Sequence, residues 1–143
     1  MTKVEVELAQ LQEVAASFVR DGYIEPVMHT AVDRLDHLEL VYLLRRPRPE
    51  GGRILDEDEV LLRTRVPANK PEAPSLVAIL PGLEFQEREV YDLFGVRYHG
   101  HPDLRRILLP ESYHGHPLRK SYTNIDGTVG QAPEEVEPGE LEI

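Results

Sequence analysis

The chain has 143 residues, a net charge of −10 and no cysteine. That length suits one domain with its own core, and the missing thiols exclude disulfides, thiolate zinc sites, iron–sulfur ligation and a cysteine nucleophile within it. The acidic balance argues against nucleic acid as a partner, since phosphate contact needs a basic face, and no apolar run approaches the ~20 residues of a membrane-spanning helix.

Val4, Leu8, Leu11, Ala15 and Phe18 recur at helical spacing, with Val14 and Val19 widening the stripe and Asp21-Gly22 as a stop. The pattern predicts an amphipathic helix over residues 3–20. Tyr23 to Val32 has the β-branched content of a strand, and Pro26 within it marks a sheet edge or a bulge. A polar turn, Asp33 to His37, leads to a stronger strand, Leu38 to Arg45. After the Pro- and Gly-rich loop Pro47 to Gly52, Val60 to Val66 alternates as a third strand.

Pro67 to Pro74 reads as a surface connector. Ser75 is placed to cap a short apolar turn, Leu76 to Leu80. A second helix is predicted from Leu83 to Phe94, ended by Gly95. The expected fold class is α+β: a small antiparallel or mixed sheet with helices on one face, followed by an extended C-terminal arm. The expected division is 1–95 for the domain, 96–120 for the arm and 121–143 for an acidic, irregular tail.

The second helix and the segment after it hold the densest chemistry. Glu84, Arg88 and Asp92 fall four residues apart on one helical face. Either these three form a solvated charge ladder, or Glu87, Arg88, Glu89 and Asp92 are buried and then require cationic and backbone donors around them. Such donors come directly afterwards: Arg97, Arg105, Arg106, Arg119 and Lys120 lie within a short stretch opposed only by Asp103 and Glu111. This segment can fold back on the helix or project as an arm. Gly100, Pro102, Pro110, Gly115 and Pro117 deny it regular structure, and an extended chain needs partners for its backbone, which favours an arm in the groove of another subunit.

The pairs His99/His101 and His114/His116 raise a zinc reading, but the prolines after them and the arginines beside them disfavour a cation there, and no metal is expected. Ser112 and His114 are neighbours without a Gly-rich oxyanion turn, so no nucleophile is expected either. No phosphate-cradling loop is present. From the residues alone, the chain reads as a binding or assembly subunit.

Glu87-Arg-Glu-Val-Tyr-Asp-Leu-Phe94, then His101, then Arg105-Arg-Ile-Leu108, with Gly115-His-Pro-Leu-Arg-Lys120 downstream, resembles the signature of one family. It is that of the 30 kDa subunit of proton-pumping NADH:quinone oxidoreductase, respiratory complex I. The match runs from about Pro74 to Lys120. One departure lies just before Glu87, where complex I proteins often carry tryptophan or tyrosine and this chain reads Phe85-Gln86.

The resemblance implies a non-catalytic subunit on the cytoplasmic side of the cell membrane, peripheral and held there only through its complex. It implies docking on the hydrogenase-large-subunit-like partner that forms most of the quinone site, beside an iron–sulfur subunit. No cofactor is expected in this chain; flavin, clusters and the quinone or nickel–iron site would belong to partners. The same module occurs in membrane-bound energy-converting nickel–iron hydrogenases and related dehydrogenases, which is the alternative. On this reading the interface residues are Glu87, Arg88, Glu89, Asp92, His101, Asp103, Arg105, Arg106, His116, Arg119 and Lys120.

Overall fold

Three strands alternate apolar and polar residues, and their pairing assembles one buried face. A computed structural model describes residues 1–110, 113 and 115–120; the acidic tail, with Glu111, Ser112 and His114, lies outside the described residues. The strands are β2 (Glu25–Asp33), β3 (His37–Arg45) and β4 (Glu59–Pro67), paired antiparallel. The register sets His29 opposite Tyr42 and Tyr42 opposite Leu62, and Ala31 opposite Leu40 and Leu40 opposite Thr64. All six are buried. With period two, the odd positions of β3 and β4 then face outward. There Arg45 lies between Glu25 and Glu59 at 3.6 and 3.2 Å, and Arg63 lies between Glu5 and Glu39 at 3.2 and 3.5 Å.

The fourth strand is β1 (Thr2–Glu5), parallel to β4, giving the order β1-β4-β3-β2. The helix predicted over 3–20 is thus corrected: α1 spans only Leu11–Arg20. Val4, Val6 and Leu8 satisfy a strand period as well as a helical one, and pairing with β4 selects the strand. Leu11 and Ala15 of α1 enter the core.

Pro26 lies on the sheet's edge strand, and the register slips between Pro26 and Met28, so Val27 is the extra residue of a bulge. Both readings of Pro26, edge and bulge, hold. The second helix, α2 (Glu84–Phe94), covers this edge. Gln86 Oε1 accepts the His29 backbone N–H at 2.6 Å, and a Cβ at Gly82 would come within 2.9 Å of Pro26. Covering an edge strand in this way hinders its pairing with another chain at that point.

The predicted connector contains β5 (Glu72–Pro74), which pairs parallel with β6 (Arg97–His99). Nothing local announces β5, because its partner comes 25 positions later in register, as in Glu72 with Arg97. Val96 and Tyr98, both expected in the arm, belong to the core cluster. Tyr98 Oη reaches His29 Nε2 at 2.6 Å, His29 Nδ1 donates to the Val41 carbonyl at 2.9 Å, and the imidazole stacks on Tyr42 at 4.0 Å. The carbonyl can only accept, so Nδ1 carries the proton and Nε2 receives the tyrosine O–H.

Candidate functional site

Helix α2 begins after the Pro81–Leu83 turn, where proline suits a first helical position, and ends at Gly95, whose φ of 81° is the left-handed cap conformation. The last four carbonyls of a helix lack partners within it. Here all four are taken by groups from residues 95–119. Gly95 N–H reaches the Tyr91 carbonyl at 2.8 Å, and Leu118 N–H reaches that of Leu93 at 2.9 Å. Arg106 Nη1 and His116 Nδ1 donate to the Asp92 carbonyl at 3.1 and 2.8 Å, and Arg119 Nη1 to that of Phe94 at 3.2 Å. Two arginines thereby sit at the negative end of the helix dipole.

The side chains of the motif complete the same fastening. Oδ2 of Asp92, which is fully buried, accepts three consecutive backbone N–H groups, Ile107, Leu108 and Leu109, at 3.2, 2.7 and 2.9 Å. Oδ1 of Asp92 pairs with Arg106, whose other terminal nitrogen donates to the Gly115 carbonyl. Successive N–H groups converging on one anion form a nest, filled here by the helix's own carboxylate. Arg88, mostly buried, donates from Nε and Nη2 to the carbonyls of Arg105 and Arg106, both at 3.1 Å. The solvated-ladder reading is therefore excluded: Arg88 reaches down to the segment beyond the helix, and Glu87 and Asp92 are inaccessible.

Glu87 faces the other way. Its Oε1 accepts Ser75 Oγ–H at 2.6 Å and its Oε2 accepts Leu76 N–H at 2.8 Å. Burial raises its pKa, an effect the two donors oppose. Ser75 Oγ also accepts Val77 N–H at 3.1 Å, the bond expected of a capping serine. His101 Nε2 donates to the Glu84 carbonyl at 2.9 Å while its Nδ1 accepts Asp103 N–H at 3.0 Å, which fixes a neutral tautomer. The imidazole of His116 lies against Gly95, where a Cβ would meet it at 2.7 Å. Burial lowers its pKa, and the Asp92 carbonyl partly opposes that.

Arg119 and the backbone of Lys120 close the segment onto the sheet. Arg119 donates to Asp33 Oδ2 at 3.3 Å and to the Ala68 carbonyl at 2.6 Å, and Lys120 N–H reaches Asp33 Oδ2 at 2.8 Å. Burial raises the Asp33 pKa, but the N–H groups of Lys120 and Leu35, with Arg119, outweigh it and hold it below its ordinary value. Sequence reasoning takes Asp33 for part of a polar turn and misses this role. It also misses His29 and Tyr98, whose meeting across the fold leaves no local signal.

Eight of the expected interface residues thus turn wholly or partly onto their own chain: Glu87, Arg88, Asp92, His101, Arg106, His116, Arg119 and, through its backbone, Lys120. The side chains of Glu89, Asp103 and Arg105 are exposed, with Arg105 Nε 3.0 Å from Asp103 Oδ2. The described part of the segment 96–120 makes its contacts on α2, β5 and the end of β2. His99 pairs with Glu72 at 3.2 Å, and no cluster of three or more metal-ligating side chains occurs among the described residues. A cavity of about 500 Å³ opens elsewhere, beside β1 and β4, and no motif residue lines it. No helix among the described residues is long and apolar enough to cross a membrane.

Residues 4–128 match the family described as respiratory-chain NADH dehydrogenase, 30 Kd subunit. NADH-quinone oxidoreductase subunit 5 of Thermus thermophilus is 49% identical over 117 residues, covering 81% of this chain and 55% of that protein. The corresponding NADH-quinone oxidoreductase subunit of Moorella thermoacetica is 48% identical over 64 residues, 45% of this chain and 43% of that one. The chain spans about half the length of these curated relatives. Among solved structures, a trypsin-resistant fragment of Nqo5 superposes with a TM-score of 0.63 at 28% identity, over 71% of this chain and 81% of that one. A chain of the membrane-bound sulfane sulfur reductase, an archaeal respiratory membrane complex, shares the fold with a TM-score of 0.69 at 24% identity, over 85% and 72%. On the family match and the Thermus identity, this chain belongs to the family of the 30 kDa subunit of the respiratory-chain NADH dehydrogenase.

Proposed function

We propose that the chain is a non-catalytic assembly subunit of the peripheral arm of a proton-pumping NADH:quinone oxidoreductase. It docks on the hydrogenase-large-subunit-like quinone-site subunit, beside an iron–sulfur subunit, on the cytoplasmic side of the membrane. Flavin, clusters and quinone site belong to those partners. The observation that carries this reading is the closure of the motif on itself: Glu87, Arg88, Asp92 and Arg106 hold backbone groups in place. A carboxylate bonded to three N–H groups and an arginine bonded to two carbonyls organise a surface; they are poorly placed to exchange protons with a substrate. The named function of the relatives supports the choice of complex.

The alternative is the equivalent subunit of an energy-converting nickel–iron hydrogenase or related dehydrogenase, favoured by the shared fold with the sulfane sulfur reductase complex. Replacing the exposed Arg105 with alanine tests the assembly role. The expected result is less assembled complex on a native gel, with nearly normal NADH:quinone activity per assembled complex. Normal assembly with electron transfer abolished would refute the scaffold reading. Hydrogen-linked activity of the purified complex, without NADH oxidation, would select the alternative.

A further inference from the structure

With the motif's buried side chains fastened inward, exposed apolar side chains remain on two neighbouring elements, α2 and the start of β2. Phe85, on the first turn of α2, is 58% exposed. Its neighbour Gln86 bonds the backbone of His29, and Gly82 abuts Pro26, so the seam between α2 and the β2 bulge is closed at two points. Val27 and Met28, both exposed, belong to the same bulged end of β2, and exposed Ile24 directly precedes it. The Arg88 guanidinium lies 5.5 Å from the Phe85 ring centre and is itself locked by two carbonyls. An aromatic ring held in this way loses little freedom on binding, and aromatic anchors of this kind dominate interface energies.

The charge around this patch selects its occupant. Glu84 and Glu89 flank Phe85 on the helix, and neither carboxylate has an ion pair among the described residues, whereas Arg105 is already paired with Asp103. A second copy would bring the same carboxylates on a chain of net charge −10, and residues 121–143 contain acids and no lysine or arginine. Like charges oppose both. We propose that the seam of Phe85, Val27 and Met28, rimmed by Glu84 and Glu89, docks an apolar segment flanked by lysine or arginine on a different protein. Resting on the assembly role proposed above, it assigns that surface to the quinone-site subunit.

The test titrates the purified full chain against the purified hydrogenase-large-subunit-like subunit of the same organism, at several salt concentrations. Phe85→Ser should weaken binding by about tenfold or more, the loss of one aromatic anchor. Glu89→Lys should weaken it similarly, and adding Glu84→Lys should flatten the salt dependence, because screened attraction is then removed. Ile54→Ser, at an exposed apolar position outside the seam, should bind as the wild type does. The Phe85, Glu89 and Ile54 single variants should melt as the wild type does, since these side chains are exposed. Wild-type affinity in both Phe85→Ser and Glu89→Lys would overturn the surface and leave the assembly role standing. No binding by the wild-type chain would overturn both. A concentration-dependent dimer abolished by Phe85→Ser would make a second copy the occupant and overturn the proposal.

Discussion

Oδ2 of Asp92 receives three N–H groups and Oδ1 receives Arg106, and the carboxylate itself is out of contact with water. Asp92→Asn keeps the volume but removes the charge facing Arg106 and presents an amide where only acceptors fit. Breaking a buried pair from one side costs about 3–5 kcal/mol. Urea denaturation of the full chain should show a loss of that size, and a loss below about 1 kcal/mol would mean the nest is not formed. His29 makes a pH prediction. Burial lowers its pKa from 6.5 to about 4, the Val41 carbonyl opposing. The unfolded chain therefore binds a proton in this window that the folded chain refuses. Stability from this group is full above the unfolded pKa of about 6.5 and is lost as pH falls towards about 4, by about 3 kcal/mol in all. The depressed Asp33 adds to the acid-side loss, while Glu87, with its raised pKa, acts in the opposite sense. Urea midpoints measured from about pH 7 to about pH 4 should fall, and His29→Gln should flatten the curve across that window.

Helix α2 has a modest apolar stripe of its own, and its C-terminal end is completed by residues 95–119. The consequence is that a chain cut after Gly95 loses Val96 and Tyr98 from the core, β6 from β5, and the partners of the Asp92, Leu93 and Phe94 carbonyls. Burying a side chain such as valine is worth about 1.5–3 kcal/mol, and each unsatisfied buried polar group costs about 1–3 kcal/mol. Against a total stability of about 5–15 kcal/mol, the truncated chain should be largely unfolded. Far-UV circular dichroism and one-dimensional NMR decide this; a native-like spectrum from residues 1–95 would show that the segment is dispensable. In the full chain, the amides of Leu108 and Leu109 should exchange slowly despite lying outside any helix or strand, because both are held by Asp92.

For the whole molecule, five histidines among the described residues are engaged with their own chain: His29 with Val41 and Tyr98, His37 with Asp36, His99 with Glu72, His101 with Glu84, His116 with Asp92. Elemental analysis of the dialysed protein should find no stoichiometric zinc, nickel or iron. About one metal per chain, held at neutral pH, would contradict the assignment of cofactors to partner subunits. The molecule thus divides its charges by depth: those of the motif that are buried hold the segment 96–120 on α2, while the side chains of Glu89 and Arg105 stay exposed.

The sequence by itself determined the α+β class, the strands β2, β3 and β4 through their period of two, the edge position of Pro26, and the end of α2 at Gly95. These come from local periodicity and from residues such as proline and glycine whose backbone preferences need no context. It also marked Glu87 to Phe94 and Arg105 to Leu108 as the chemically dense stretch. The tertiary structure decided how those charges are used. Val4 and Val6 fit two periods until β4 offers a strand partner, and β5 exists only because β6 returns to it. Whether Asp92 is solvated or buried depends on whether Arg106 and three N–H groups arrive from residues 106–109. That is a matter of closing a loop in space, which spacing along the chain does not encode.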